Sequence, residues 1–373
     1  MKKWQKILIA LLGIVLLFLT AGILFLQLHP TFGGSPTNEQ KELYRQFDNY
    51  VDGDFVNMNE AELDMDMDFS TIFSLLRDAI SGVDDQHPLE AIPIATFDWE
   101  TIKNEEDSLT WFGHSNFLLS IDNKKILLDP MFGNIASPVS FIGSTRFSDD
   151  ILDVMEELPP IDAVFITHDH YDHLDYPSIL ALKDKVEHFF VPHGIDAHLL
   201  RWGVASERIT PMNWWDELEW KGLTIASVPA HHYSGRGLFD RNSRLWSGWV
   251  ILGEETRVFT SGDSGYAPHF KKIGEVYGPF DLTLIEGGQY DERWSDNHMF
   301  PEESVQAHLD VNGETMMLMH WGAFSLAYHG WSEPVERALL EAEAQDVNII
   351  APEIGETVLL EELPVPVSSW WEY

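Results

Sequence analysis

The stretch that most constrains this chain is His168-x-His170-x-Asp172-His173, which follows directly on the apolar run Ala163–Ile166. That run has the length and composition of a strand rather than a helix. Four imidazole and carboxylate side chains crowded into the loop behind a strand are costly to bury unpaired. They are good donors for zinc and similar divalent cations. In a turn, His168 and His170 can face one cation while Asp172 and His173 face a second. A solvated polar loop is the plainer alternative, but the run is too dense for it and too close to an apolar strand.

The same arrangement recurs downstream. Leu223–Val228 is followed by Pro229-Ala230-His231-His232, Val258–Phe259 by Ser261-Gly262-Asp263-Ser264, and Met316–Met319 by His320-Trp321-Gly322. Rigid strands that deliver polar groups from their loop ends to one point are how a mixed α/β scaffold builds a site. On this reading either His231 or His232 completes the first set, His320 the second, and Asp263 bridges. Each of these would be a weak assignment alone. Further short apolar runs at Phe117–Leu119, Ile126–Leu128 and Leu282–Ile285 read as strands. Helices are expected over Pro177 to Lys185, Asp196 to Trp202, Pro301 to Asp310 and Glu333 to Gln345, the last with Ser332 as N-cap and Pro334 in its first turn. Strands mixed with helices predict an α/β domain over roughly 94–373.

The N-terminus makes a different demand. Lys2, Lys3 and Lys6 precede Ile7–Leu26, 20 residues without a charge. At about 1.5 Å per residue such a helix spans a hydrocarbon core of about 30 Å. A cleaved signal peptide would have a shorter apolar core and a small-residue cleavage site, so residues 1–28 are read as an uncleaved anchor. The lysines before the span put the N-terminus in the cytoplasm and the catalytic domain outside it. Residues from Thr31 to about Pro93 read as an irregular region, with an acidic stretch around Glu60 to Asp68, that either wraps the domain or separates it from the membrane.

Composition excludes several functions. The 23 basic and 61 acidic residues give a net charge of −38, a surface that repels phosphate backbones and makes nucleic acid a poor partner. The absence of cysteine excludes disulfides, thiolate ligands and cysteine nucleophiles. No G-x-S-x-G is present to support a serine triad. The 14 tryptophans are expected mainly in the core.

The H-x-H-x-D-H run with its spaced histidine, aspartate and histidine resembles the metallo-β-lactamase superfamily, and within it the branch of the N-acyl-phosphatidylethanolamine-hydrolysing phospholipases D. The likeness runs from about His29 to Val358. It includes His29-Pro30-Thr31-Phe32-Gly33-Gly34, Trp111-Phe112-Gly113-His114-Ser115, Leu128-Asp129-Pro130, Pro229-Ala230-His231-His232, His298-Met299-Phe300-Pro301 and His320-Trp321-Gly322-Ala323-Phe324. The first motif is superfamily-wide; the P-A-x-H and H-W-G-x-F segments narrow it to the branch.

The resemblance implies a four-layer αβ/βα sandwich and two divalent ions, with zinc expected and iron or manganese as alternatives. It implies His168, His170 and His232 on one ion, Asp172, His173 and His320 on the other, and Asp263 shared. His298 is implied near the ions or the substrate, against the alternative of a surface residue at a helix start. His114 and Asp129 match as supporting residues. The N-terminal span departs from the eukaryotic enzymes of the branch and leaves the natural lipid open. The expected activity is hydrolysis of a phosphodiester in a glycerophospholipid, with Asp172 or His298 carrying protons. The rival readings are a lactonase or other ester hydrolase, and a metal-dependent binding protein with an inactive site.

Overall fold

The computed structural model of the protein describes residues 2–58, 69–104, 106–148 and 151–372. The acidic stretch from Glu60 to Asp68 lies outside these residues. Helix α1 (Lys3–Leu28) runs for 26 residues with none buried and a mean hydropathy of 3.0 over its most apolar window. By length and composition it is a candidate membrane span, a test that a signal sequence also passes.

The region after α1 is more ordered than the sequence reading allowed. It holds a 3₁₀ turn (Pro30–Phe32), helix α2 (Asn38–Tyr44), the two-stranded hairpin β1 (Tyr50–Val51) and β2 (Asp54–Phe55), and helix α3 (Phe69–Ser81). Helix α2 starts on a reciprocal cap. Thr37 Oγ1 accepts from the Gln40 amide at 3.2 Å and Gln40 Oε1 accepts from the Thr37 amide at 2.8 Å. Tyr44, Tyr50 and Phe55 form a small core with Trp214, Leu245 and Trp246, so residues 37–55 wrap the domain.

From residue 99 the order is α4 (Trp99–Lys103), β3 (Ser108–Trp111), β4 (Phe117–Ile121), β5 (Lys124–Leu128), α5 (Val154–Glu157), β6 (Ile161–Phe165), α6 (Tyr176–Leu182), β7 (Val186–Pro192), α7 (Asp196–Arg201) and β8 (Ile209–Met212). Then come β9 (Glu217–Trp220), β10 (Leu223–Val228), β11 (Gly248–Leu252), β12 (Arg257–Thr260), α8 (His269–Tyr277), β13 (Phe280–Glu286), α9 (Pro301–Asp310), β14 (Gly313–Met319), α10 (Glu333–Gln345), β15 (Asn348–Ile350) and β16 (Thr357–Leu359). Two seven-stranded sheets result, ordered β16-β3-β4-β5-β6-β7-β8 and β15-β14-β13-β12-β11-β10-β9. In each, the strands joined through helices are parallel (β5 to β8, β12 to β15) and the meander strands antiparallel.

The period-2 alternation of buried strands explains the layering. In β4, Phe117, Leu119 and Ile121 enter the core between the sheets while Leu118 faces the outer helices; Ile126 and Leu128 of β5 divide from Leu127 in the same way. The outer core of the first sheet is closed by Ile179 and Leu182 of α6 and Leu199 of α7. This is the four-layer arrangement that the resemblance implies. Trp111, Trp246, Trp249 and Trp321 are fully buried, as core tryptophans. Helices α9 and α10 have the expected bounds, and Pro334 lies in the first turn of α10. Ser332 occupies the N-cap position, yet its side chain makes no capping hydrogen bond.

Candidate metal centre

The loops that follow β6, β10, β12 and β14 meet at one edge of the sandwich. His168, His173, His232, Asp263 and His320 are each at most 3% exposed, and Asp172 is 8% exposed. His168 Nε2 and His232 Nε2 lie 2.8 and 3.2 Å from His170 Nδ1, three ring nitrogens converging on one point. A tetrahedral cation with Zn–N bonds of ~2.0 Å would space its donors by roughly 3.3 Å. Asp263 Oδ2 lies 3.7 Å from both His168 Nε2 and His232 Nε2, and 3.2 Å from His173 Nε2 and His320 Nε2. Asp172 Oδ2 sits 3.3 Å from His173 Nε2 and 3.1 Å from His320 Nε2. The potential donors fall into overlapping groups: His168, His170 and His232 with Asp263; His114, Asp172, His173 and His320; and His298 and His320 with Asp263. Asp263 Oδ2 also reaches His173, so it stands between the two sides of the cluster.

Burial and the packed imidazoles and carboxylates set the charge of the cluster. Asp263 Oδ1 is buried without a hydrogen-bond partner, a costly state for a carboxylate that a positive ion in the cluster would relieve. Burial, with neighbouring imidazoles, lowers the pKa of His168, His170 and His232, keeping their lone pairs available at neutral pH. Burial raises the pKa of Asp172 and Asp263, but the surrounding imidazoles outweigh it and hold both well below the usual carboxylate range. Burial likewise works against charge on His173 and His320, yet the Asp263 and Asp172 carboxylates raise both, His320 to about 9.

The rings of His168, His173 and His232 are oriented from behind. Asp129 Oδ2 accepts from His173 Nδ1 at 2.8 Å and from Thr167 Oγ1 at 2.6 Å, while its Oδ1 accepts from the Thr167 amide at 2.8 Å. His168 Nδ1 meets Thr167 Oγ1 at 2.9 Å, and His232 Nδ1 donates to the Asn297 carbonyl at 3.2 Å. Burial lowers the His114 pKa to about 3, so its neutral ring donates from Nε2 to Asp172 Oδ2 at 2.8 Å. His114, Asp129 and His320 all hold left-handed backbone (φ 58°, 37° and 71°), a strain of order 1–3 kcal/mol each that the surrounding structure must sustain.

His298 faces the cavity above the cluster. Its Nδ1 contacts Glu286 Oε1 at 3.0 Å, and its ring stacks on His320 at 5.2 Å. His231, next to His232 in sequence, turns away and lines a separate small cavity with His269 and Tyr266. Sequence reasoning passed over Glu286. This fully buried carboxylate at the end of β13 meets His298 and His320 Nδ1 and accepts from the Met299 amide at 3.0 Å. Its signal was the one already used elsewhere, an apolar run (Leu282–Ile285) that ends in a metal-capable residue followed by glycine. The cavity has a volume of about 340 Å³, with Asp172, Asp263, His298 and His320 on its floor and Tyr233 and Trp294 among its walls.

The chain resembles known proteins along much of its length. The family model described as beta-lactamase superfamily domain matches residues 124–321. The chain is similar to an uncharacterized protein of Mycobacterium tuberculosis, 38% identical over 346 residues that cover 92% of each chain. It is also 35% identical over 265 residues to N-acyl-phosphatidylethanolamine-hydrolyzing phospholipase D 1 of Caenorhabditis elegans, covering 66% of this chain and 74% of the relative. Among solved structures, a metallo hydrolase from the archaeon Ignicoccus hospitalis superposes with a TM-score of 0.52 at 26% identity, covering 68% of this chain and 97% of the other. Divalent ions in a buried histidine–aspartate cluster are what this fold implies. The chain is a metal-dependent hydrolase of the metallo-β-lactamase superfamily, with the N-acyl-phosphatidylethanolamine-hydrolysing phospholipases D among its relatives.

Proposed function

We propose that this protein is a phospholipase D-type phosphodiesterase acting on a glycerophospholipid such as an N-acyl-phosphatidylethanolamine, with two zinc ions in its site. His168, His170 and His232 would hold one ion and Asp172, His173 and His320 the other, with Asp263 available to both. The observation that carries this reading is the shared carboxylate: two donor groups meet on Asp263 at the floor of one cavity. Two cations so placed supply Lewis acidity and acidify a water toward neutral pH. The name of the Caenorhabditis elegans relative supports a phosphodiester as substrate.

The protein's own side chains supply the rest. Asp172, ionised and held by His114, accepts a proton from the attacking water. His298, its Nδ1 occupied by Glu286, has Nε2 left to relay a proton to the departing alcohol, the proton that Asp172 takes from water restoring the balance over the cycle. Tyr233, Trp294, Ala136 and Leu326 line the cavity with apolar surface that suits the non-reacting parts of a lipid. Helix α1 places the enzyme in the membrane that supplies such a substrate, with the catalytic domain on the extracytoplasmic side. The test is an assay of the full-length protein on N-acyl-phosphatidylethanolamine, lactone and aryl-ester panels. Release of phosphatidic acid and an N-acylethanolamine, lost with chelator and restored by zinc, is the expected result. Turnover confined to lactones or esters overturns the substrate assignment, and no turnover of any panel member overturns the catalytic one.

A further inference from the structure

Asp169 lies between His168 and His170 but turns away from the cavity into a buried network. Its Oδ1 accepts from the Gly235 amide at 2.7 Å; its Oδ2 meets His198 Nε2 at 3.3 Å and Arg244 Nη1 at 3.4 Å. Its carbonyl accepts from Arg236 Nη1 at 2.7 Å, and the same nitrogen reaches the Leu174 carbonyl at 2.7 Å. Arg236 thus pins both ends of the segment that contains His170, Asp172 and His173.

Both guanidiniums are buried, 4% exposed for Arg236 and 1% for Arg244, and each is held on its far side by the segment leaving α1. Arg236 Nε and Nη2 donate to the Thr31 carbonyl at 3.0 and 2.8 Å, and Arg244 Nη2 to the Gly34 carbonyl at 2.6 Å. That segment is anchored in turn. Arg201 donates to the Gln27, Leu28 and Gly33 carbonyls, and Trp202 Nε1 to the Pro30 carbonyl at 2.8 Å. Two glycines allow so close an approach. Gly33 has φ +66°, and a Cβ there would stand 1.7 Å from His198 Nδ1; a Cβ on Gly34 would stand 2.1 Å from the Ala197 carbonyl oxygen.

A guanidinium has five donors in a fixed fork and no acceptor, so a buried one keeps its place only while its acceptors keep theirs. We propose that Arg236 and Arg244 are positioning residues that make the geometry of the 168–174 loop depend on the docked 29–34 segment. The stretch joining the apolar helix to the domain then acts as a strut of the metal centre as well as a tether. The inference rests on the reading that this loop holds metal ions.

The test uses the full-length, zinc-loaded protein and follows zinc release to a chromogenic chelator, with cobalt-substituted absorption spectra as a second readout. Gly33→Ala dislodges the segment from outside the site. Gly222→Ala controls for backbone strain, since Gly222 has a similar left-handed φ of +90° and open space around it. Arg244→Lys keeps the charge but cannot bridge Asp169 and Gly34, and it reads the same contact should Gly33→Ala fail to fold. The expected result is release at least tenfold faster and a shifted cobalt spectrum in Gly33→Ala and Arg244→Lys, with Gly222→Ala like the wild type. Wild-type release rates and spectra in both variants overturn the strut. A wild-type protein that binds no zinc overturns instead the metal reading beneath it.

Discussion

The first sheet contributes its candidate donors through one loop, which carries His168, His170, Asp172 and His173 behind β6, and supports them with His114 after β3 and Asp129 after β5. The second sheet contributes through four separate strand ends, His232 after β10, Asp263 after β12, Glu286 closing β13 and His320 after β14. Among the latter, β12, β13 and β14 are neighbours in one parallel ladder. Such strands stand about 4.8 Å apart, and their pairing fixes where Asp263, Glu286 and His320 begin. A loop has no ladder, so its donors take their positions from side chains elsewhere: Asp129 behind His173, His114 behind Asp172, and the arginines behind Asp169. Distributed donors are placed by the fold itself, whereas clustered donors need dedicated supports.

This contrast gives an ordered set of expectations. The largest effect belongs to a strand-end donor that nothing replaces. His232→Ala should abolish detectable hydrolysis and lower metal occupancy, whereas His231→Ala, whose ring faces the other cavity, should change the rate little. A reversed outcome in paired steady-state assays would mean that the β10 loop runs differently.

Next comes the shared carboxylate. Asp263→Asn keeps the shape but removes the charge that offsets repulsion between two cations. A rate loss on the order of 10²-fold or more, about 3 kcal/mol, is expected together with the loss of one ion or both. A near-normal rate with both ions retained would make Asp263 an ordinary turn aspartate.

A support of the loop should matter less than a donor. Asp129→Asn leaves every donor in place but weakens the hold on His173 Nδ1. Affinity for the ion on His173 should fall by about 10–100-fold. Titration with a competing chelator reads the loss, and wild-type affinity in the variant would remove Asp129 as a support of the loop.

An effect on stability rather than on the site is shared by both halves. Burial lowers the pKa of His193 and of His308 to about 4, against an ordinary value of 6.5. Each is neutral in the fold while the unfolded chain takes up protons below pH 6.5. Stability should therefore be complete above that pH and fall as pH drops toward about 4, by up to roughly 3 kcal/mol per group. Thermal midpoints measured across this range should show a shallower decline in His308→Gln; an unchanged slope would remove His308 from the account.

The same contrast explains what could be read from the sequence. Four donors in six residues behind an apolar run are visible without a structure, and strand-end donors become visible once the recurring pattern is noticed. Glu286 escaped because one glutamate in a chain with 61 acidic residues carries little signal by itself. Strand β10 and helices α9 and α10 were legible to their ends from apolar period and flanking residues. Helix α2 was not, although Thr37-x-x-Gln40 carries its cap, because seven residues give too little periodicity. Nothing local could reveal the arginine network, in which Arg236 meets Thr31 across 205 residues. Such contacts belong to tertiary structure, and a single sequence records only that glycines and arginines are present.

The central claim is that two cations share Asp263, each held by two residues of the 168–173 loop and one strand-end histidine of the second sheet. Elemental analysis of the purified full-length protein, alongside Asp263→Asn, tests it most directly. The account predicts about two divalent ions per wild-type chain and at most one in the variant. A wild-type chain without zinc, iron or manganese even after metal loading, or a variant that retains both ions, would contradict it.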